Sequence, residues 1–333
     1  MRKIKGLCII AALGVMTTFG NVLLEVPASA ATTIEVSSKG KSLKDALASA
    51  KSGDTINITG TIKSGTVKVP AGVKITGKKG KGKINFSSTS GSSGKGLVIN
   101  SNGSTISDLE IYGAADNGIY MEGSNNTLSN LKVHNNKDAG VQLSKGAANN
   151  TLKKVKSYSN ADKTGENADG FAIKLHSGKG NKLIDCVAEG NSDDGYDLYA
   201  AHGAVTFTRC KAINNGNCNG IKGDGNGFKL GGVDNKTPGT APHLDPLNHQ
   251  LTDCVAIGNT ASGFDRNNQN GQITMKNCRA ENNGKNNFNF PLKGKPSALG
   301  YEVTFAKAKM IGCTSVNGRN NIKGATLSNC TGF

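Results

Sequence analysis

The sequence predicts an all-β fold: a parallel β-solenoid closed at its N-terminal end by a capping helix. Three observations predict it. A short unit, Gly followed by alternating apolar residues, recurs through the middle of the chain. Two further columns, one of Leu, Val and Cys and one of Asn, recur at fixed offsets from that Gly. The composition agrees: 45 Gly, no Trp and 5% aromatic residues disfavour a large helical core, while the ordered recurrence of apolar residues excludes a disordered chain.

The repeated units are "NGIYM" at Gly118, "AGVQL" at Gly140, "DGFAI" at Gly170, "DGYDL" at Gly195, "NGFKL" at Gly227 and "SGFD" at Gly263. Their intervals are 22, 30, 25, 32 and 36 residues; the shortest sets the repeat and the excesses are insertions. Residues one and three after each Gly are predicted to point inward (Phe171 and Ile173, Tyr196 and Leu198, Phe228 and Leu230), and the residue between them outward. The second column is Leu109, Leu131, Val155, Cys186, Cys210, Cys254, Cys278 and Cys313. Its cysteines take places that Leu and Val fill earlier, so free, buried, stacked thiols are expected. Cys218 lies outside the column, and no CxxC pair suggests zinc. The third column is Asn136, Asn160, Asn191, Asn215, Asn259 and Asn283, read as a ladder of stacked amides in the turns.

Ahead of the repeats, "SLKDALASAKSGD" reads as a helix with Ser42 as N-cap, Asp45 three residues on, an apolar face of Leu43, Ala46, Leu47 and Ala50, and Gly53 just past its end. Such a helix would cover the open first rung. Earlier still, Arg2, Lys3 and Lys5 precede an apolar run and Ala28-Ser29-Ala30, the pattern of a signal peptide over residues 1–30. Residues 31–333 are then expected to be a single exported domain and a monomer, with no later run able to span a bilayer. Losing Arg2, Lys3, Lys5 and Glu25 takes the net charge from +16 to +14. An exported protein so basic suits an acidic polysaccharide or a cell surface, and not nucleic acid. The basic run Gly77–Lys83 adds to that field.

Against this background "NSDDGYDLY" crowds three carboxylates into five residues. Neighbouring rungs lie about 4.8 Å apart, so Asp193, Asp194 and Asp197 should converge with Asp169 of the preceding rung on one outer patch. Lys229 follows Asp197 one rung on, and Asp265 follows Lys229. Carboxylates that close must be partly protonated or hold a cation. The residues alone leave both a solvated acidic turn and a metal cage open; an oxygen-only cage would suit Ca²⁺.

"NADGFAIKL", "NSDDGYDLY", "GDGNGFKLGG", "SGFDRNNQNG" and "NNGKNNFNF", in that order across Asn167 to Phe290, resemble the pectate lyases of polysaccharide lyase family nine. The resemblance implies a right-handed parallel β-helix and a secreted enzyme acting on de-esterified polygalacturonate. It also implies catalytic Ca²⁺ on Asp169, Asp193, Asp194 and Asp197, with Lys229 as the Brønsted base. The stretch from Gly232 to Gln250 departs from that pattern by its length, and bears on the cleft wall. Lys174 and Arg266, beside Asp265, are candidates to meet substrate carboxylates. The five histidines show no ligand spacing and read as surface residues. Three alternatives stay in view: a lyase on another uronate polymer, a polygalacturonase-type hydrolase using paired Asp, and a non-catalytic carbohydrate-binding solenoid.

Overall fold

A computed structural model describes residues 30–234 and 237–333. The expected signal peptide lies outside the described residues. From Thr33 onward the chain winds into stacked rungs of short strands, and the strands of neighbouring rungs pair in parallel. One face is a ten-stranded parallel sheet running from Val67–Lys68 to Asn320–Asn321. Five of its strands position the site: β1 (Phe171–Ile173), β2 (Tyr196–Asp197), β3 (Phe228–Lys229), β4 (Phe264–Asp265) and β5 (Phe288–Asn289). Two short antiparallel hairpins, Asn217–Cys218 with Ile221–Lys222 and Lys293–Gly294 with Val303–Thr304, project from insertions between rungs.

The predicted register holds. Ala172, Asp197, Lys229, Asp265 and Asn289 are successive partners across β1 to β5. The residue before each of these points into the core and forms an aromatic stack. Ring centroids step 5.0 Å from Phe171 to Tyr196, 4.5 Å to Phe228, 4.8 Å to Phe264 and 5.1 Å to Phe288. These spacings follow the strand repeat, so identical ring positions add offset-stacked contacts to ordinary burial. Tyr196 is the one phenol in this stack, and its hydroxyl donates to the Cys186 carbonyl at 2.9 Å.

The Gly column is set by close approach. A Cβ on Gly195 would fall 2.6 Å from the Gly227 carbonyl oxygen and 2.9 Å from Asn215 Nδ2. Beside it runs the asparagine ladder. Nδ2 of Asn136, Asn160, Asn191, Asn215 and Asn259 each donates to Oδ1 of the next Asn at 2.9 Å. Asn283 continues it to Asn287. A second, shorter ladder, Asn126–Asn150–Asn181, was not anticipated. The seven cysteines of the described residues are all free, and Cys186, Cys210, Cys254, Cys278 and Cys313 are buried in the core column. Their thiols donate to backbone carbonyls, as Cys210 does to Leu183 at 3.3 Å.

The cap is a helix, α1 (Leu43–Ser49), with Leu43, Ala46 and Leu47 buried. Ser42 accepts from the Asp45 amide, as expected of the N-cap. Its end differs from expectation: Ala50, with extended φ/ψ, closes the helix, and Gly53 (φ 94°) belongs to the following turn.

Candidate functional site

Asp169 and Asp194 stand just before the first strand residue's Gly on adjacent rungs, where the chain turns into β1 and β2. Asp197 is the outward residue of β2 and Lys229 its register partner on β3. The turn before β2 supplies Asp193. Together these groups line the outer side of the sheet, yet Asp169, Asp193, Asp194 and Asp197 are all buried. Outward from the sheet therefore does not mean solvated: neighbouring side chains, Lys174 and Lys229 among them, pack against the carboxylates.

Two ammonium groups sit among them. Lys174 Nζ lies 2.8 Å from Asp169 Oδ2 and 3.1 Å from Asp197 Oδ2. Lys229 Nζ lies 2.9 Å from Asp224 Oδ2 and 3.0 Å from Asp194 Oδ2. Backbone and amide donors fill much of the rest. Asp193 Oδ1 accepts from the Asp224 amide at 2.8 Å, and Asp194 Oδ1 from the Asn226 amide at 2.6 Å. Asp197 Oδ1 accepts from the Tyr199 amide at 2.9 Å. One oxygen is left over. Asp194 Oδ2 is buried and accepts no hydrogen bond, although the Lys229 ammonium lies 3.0 Å away as an ion pair.

The electrostatics are those of too many buried negative charges. Burial raises Asp193 to about 8 and Asp194 to about 6, with the neighbouring carboxylates adding to the rise. Burial likewise pushes Asp169 well above its ordinary value. At Asp197 burial works in the same direction, but Lys229 and Lys174 outweigh it and hold the carboxyl low. Burial opposes the charge on Lys229, yet Asp197, Asp194 and Asp224 raise it above the ordinary lysine value.

A cavity of about 610 Å³ opens over these groups, with Lys174, Asp197, Asp224, Lys229 and Tyr199 in its lining. Lys174 reaches this lining, with its amine paired to Asp169 and Asp197. The expectation for Arg266 is corrected. It is three residues after Gly263 and so follows the inward period; it is fully buried. Its guanidinium donates to the carbonyls of Pro291 and Ala306 and lies 5.0 Å from the Phe305 ring centre. Asp265 accepts from the Asn267 amide and from Asn289 Nδ2, which ties it into the turn. Neither Asp265 nor Arg266 lines the cavity; Asn267 and Asn268 do.

Asp224 was missed by the sequence reading. It lies in an insertion, off the Gly register, and only "GDGNGF" marked its neighbourhood. The structure places a carboxylate oxygen of Asp193, Asp194 and Asp224 within 4.8 Å of one another, beside a second such group of Asp169, Asp194 and Asp197. Asp194 is common to both. Oxygen-only donors, an orphaned buried carboxylate oxygen and an excess of negative charge fit a hard divalent cation.

A family model described as "Pel9A-like, right handed beta helix region" matches residues 25–308. A curated pectate lyase L from Dickeya dadantii (strain 3937) is 39% identical over 152 residues, 44% of this chain and 33% of that one. Pectate lyase L of Paenibacillus polymyxa (strain SC2) is 35% identical over 219 residues, 60% of this chain and 46% of that one. The chain thus spans less than half the length of these curated relatives. The crystal structure of pectate lyase Pel9A superposes with a TM-score of 0.76 at 26% identity, covering 90% of this chain and 79% of that one. The match supplies the handedness: the solenoid is a right-handed parallel β-helix.

Proposed function

The chain belongs to the Pel9A-like right-handed β-helix family, and from that premise we propose that it is an exported pectate lyase cleaving de-esterified polygalacturonate by β-elimination. The observation that carries the reading is the pairing of Lys229 with Asp197 across β2 and β3, at the floor of the cavity and beside the buried carboxylates. The pectate lyases among its relatives support the substrate class, and the +16 charge of the chain suits a polyanion.

Asp169, Asp193, Asp194 and Asp197 would hold Ca²⁺, with Asp224 at the edge of the same group. When bound, the cation supplies positive charge that offsets these carboxylates and acidifies the proton α to a uronate carboxylate. Lys229 is the group placed to take that proton, from C5 of the sugar. The electron pair left on C5 forms the C4–C5 double bond, the bond from C4 to the glycosidic oxygen breaks, and the leaving oxygen takes a proton. Lys229 can act only as the free amine. Asp197, Asp194 and Asp224 hold it protonated, so base function requires their charge to be met by another cation and is favoured by alkaline medium. Lys174 donates to both Asp169 and Asp197 and holds them together.

Incubation with de-esterified polygalacturonate tests the reading. A lyase produces a new ultraviolet absorbance from its unsaturated ends. A hydrolase produces reducing ends without it, and a binding solenoid releases nothing; either result refutes the proposal.

A further inference from the structure

The structure assigns a second metal site, made of His176, His202 and His243 and suited to a Zn²⁺-class cation. The three side chains come from different places. His176 follows β1, His202 follows β2 one rung later, and His243 is carried by the long stretch between Gly232 and Gln250. Each offers a ring nitrogen, and the three lie within 4.8 Å of one another. Bond lengths of about 2.0–2.1 Å to a tetrahedral Zn²⁺ need such nitrogens roughly 3.4 Å apart, which small rotations of the half-buried His176 and His243 rings and the exposed His202 ring supply. The ring centroids stand 4.6 Å apart for His176 and His202, 4.5 Å for His202 and His243, and 6.3 Å for His176 and His243.

A carboxylate orients one of the three rings. Asp234, itself buried, lies 2.9 Å from His176 Nε2 and accepts its proton there, which leaves Nδ1 with a lone pair. Asp245 stands 3.6 Å from His243 Nδ1 and 4.0 Å from His202 Nδ1. His243 Nε2 is then buried without a hydrogen-bond partner, a costly position for an imidazole nitrogen unless something binds it. Carboxylates that fix the tautomer of a ligating histidine are the usual surroundings of such a metal. Leu175 and His176 also sit at positive φ, 49° and 67°. The pairing of their amides with the Tyr199 and Ala200 carbonyls of the next rung holds this bend. Imidazoles select Zn²⁺ and its neighbours over Ca²⁺, so this site and the carboxylate site take different ions.

The consequence is a pinned cavity wall. Val233, Thr237 and Pro238, from the same stretch as Asp234 and His243, line the cavity above Lys229. A cation on the three histidines ties that stretch to two rungs of the stack.

Calorimetric titration of the chelator-treated, dialysed protein with Zn²⁺, in excess Ca²⁺ to fill the carboxylates, tests the assignment. One equivalent should bind. Co²⁺ in its place should give the visible ligand-field absorption of nitrogen coordination. His243→Gln and His202→Gln should each weaken Zn²⁺ binding at least tenfold, and Asp234→Asn by about 10–100-fold. His134→Gln, remote from the cluster, should leave it unchanged. Far-UV circular dichroism checks that each variant is folded. The assignment is overturned if the wild type binds no Zn²⁺, or if both histidine variants bind it as the wild type does; the rings are then only an aromatic cluster.

Discussion

Lys229 and Lys174 enter the site from different positions of their rungs and pair differently. Both are cations among buried aspartates, but Lys174 is enclosed and paired on two sides, whereas Lys229 pairs partly with the exposed Asp224. Asp224 is one of the charges that keep Lys229 protonated. Asp224→Asn should therefore move the alkaline rise of the lyase rate to lower pH. The shift should be less than one unit, because an exposed ion pair is worth about 0.2–1 kcal/mol. A pH–rate profile that moves upward, or not at all, contradicts this role. A second residue-scale prediction concerns His249. It is fully buried, accepts from the Val205 amide through Nδ1, and has an unpartnered Nε2. Burial drops it to about 3. An unfolded histidine titrates near 6.5, so between those values the unfolded chain binds the extra proton. Its stabilising contribution is complete above about pH 6.5 and is lost progressively toward pH 3. Urea midpoints should fall over that interval in the wild type, and less steeply in His249→Gln. At this scale the sequence spoke unevenly. Residues tied to the Gly register, such as Asp197 and Lys229, could be placed in advance. Asp224 and His243 could not, since insertions carry them. Arg266 was misplaced because its neighbour Asp265 drew it outward, although its own offset from Gly263 pointed inward.

At the scale of the element, the rung is the unit, and the asparagine ladder is what closes its turn. Asn191 donates both its backbone amide and its Nδ2 to Asn215 Oδ1. Asn215→Ala would strand two buried donors, at about 1–3 kcal/mol each. A marked fall in the denaturation midpoint is expected, and a change within experimental error would show that water replaces the ladder. Phe228 makes the complementary point about packing. It is buried between Tyr196 and Phe264 in the aromatic stack, so Phe228→Ala should cost about 3–5 kcal/mol through the cavity it leaves. The ladder, the thiol column and the register were legible from the sequence because each repeats at a fixed offset. The second ladder was not, because its members Asn126, Asn150 and Asn181 stand outside the columns keyed to the Gly. The helix end was misjudged by a few residues because Ala50 already adopts an extended backbone, and Gly53 serves another turn.

For the whole molecule, the acidic knot and the basic surface are complementary. The chain carries 40 Lys and Arg against 24 Asp and Glu, yet buries four of those acids at one place. On the proposed function, a broadly positive exterior would draw a polyanion toward a site whose own charge repels it without a bound cation. Attraction of this kind is screened beyond about 8 Å at physiological ionic strength. KM for polygalacturonate should accordingly rise with added NaCl while kcat changes little; a KM indifferent to salt would remove the surface from the account. No described helix is long and apolar enough to cross a membrane.

In the proposed reaction Lys229 takes a proton beside a cation held by Asp169, Asp193, Asp194 and Asp197. Its most direct test is the initial rate of unsaturated product from polygalacturonate at alkaline pH, for the wild type and for Lys229→Ala. Each is measured after chelation and again after Ca²⁺ is restored. Chelation should abolish wild-type activity and Ca²⁺ should recover it, while Lys229→Ala should stay about 10²–10⁴-fold slower with Ca²⁺ present. Full activity in chelator, or near-normal turnover by Lys229→Ala, would contradict it.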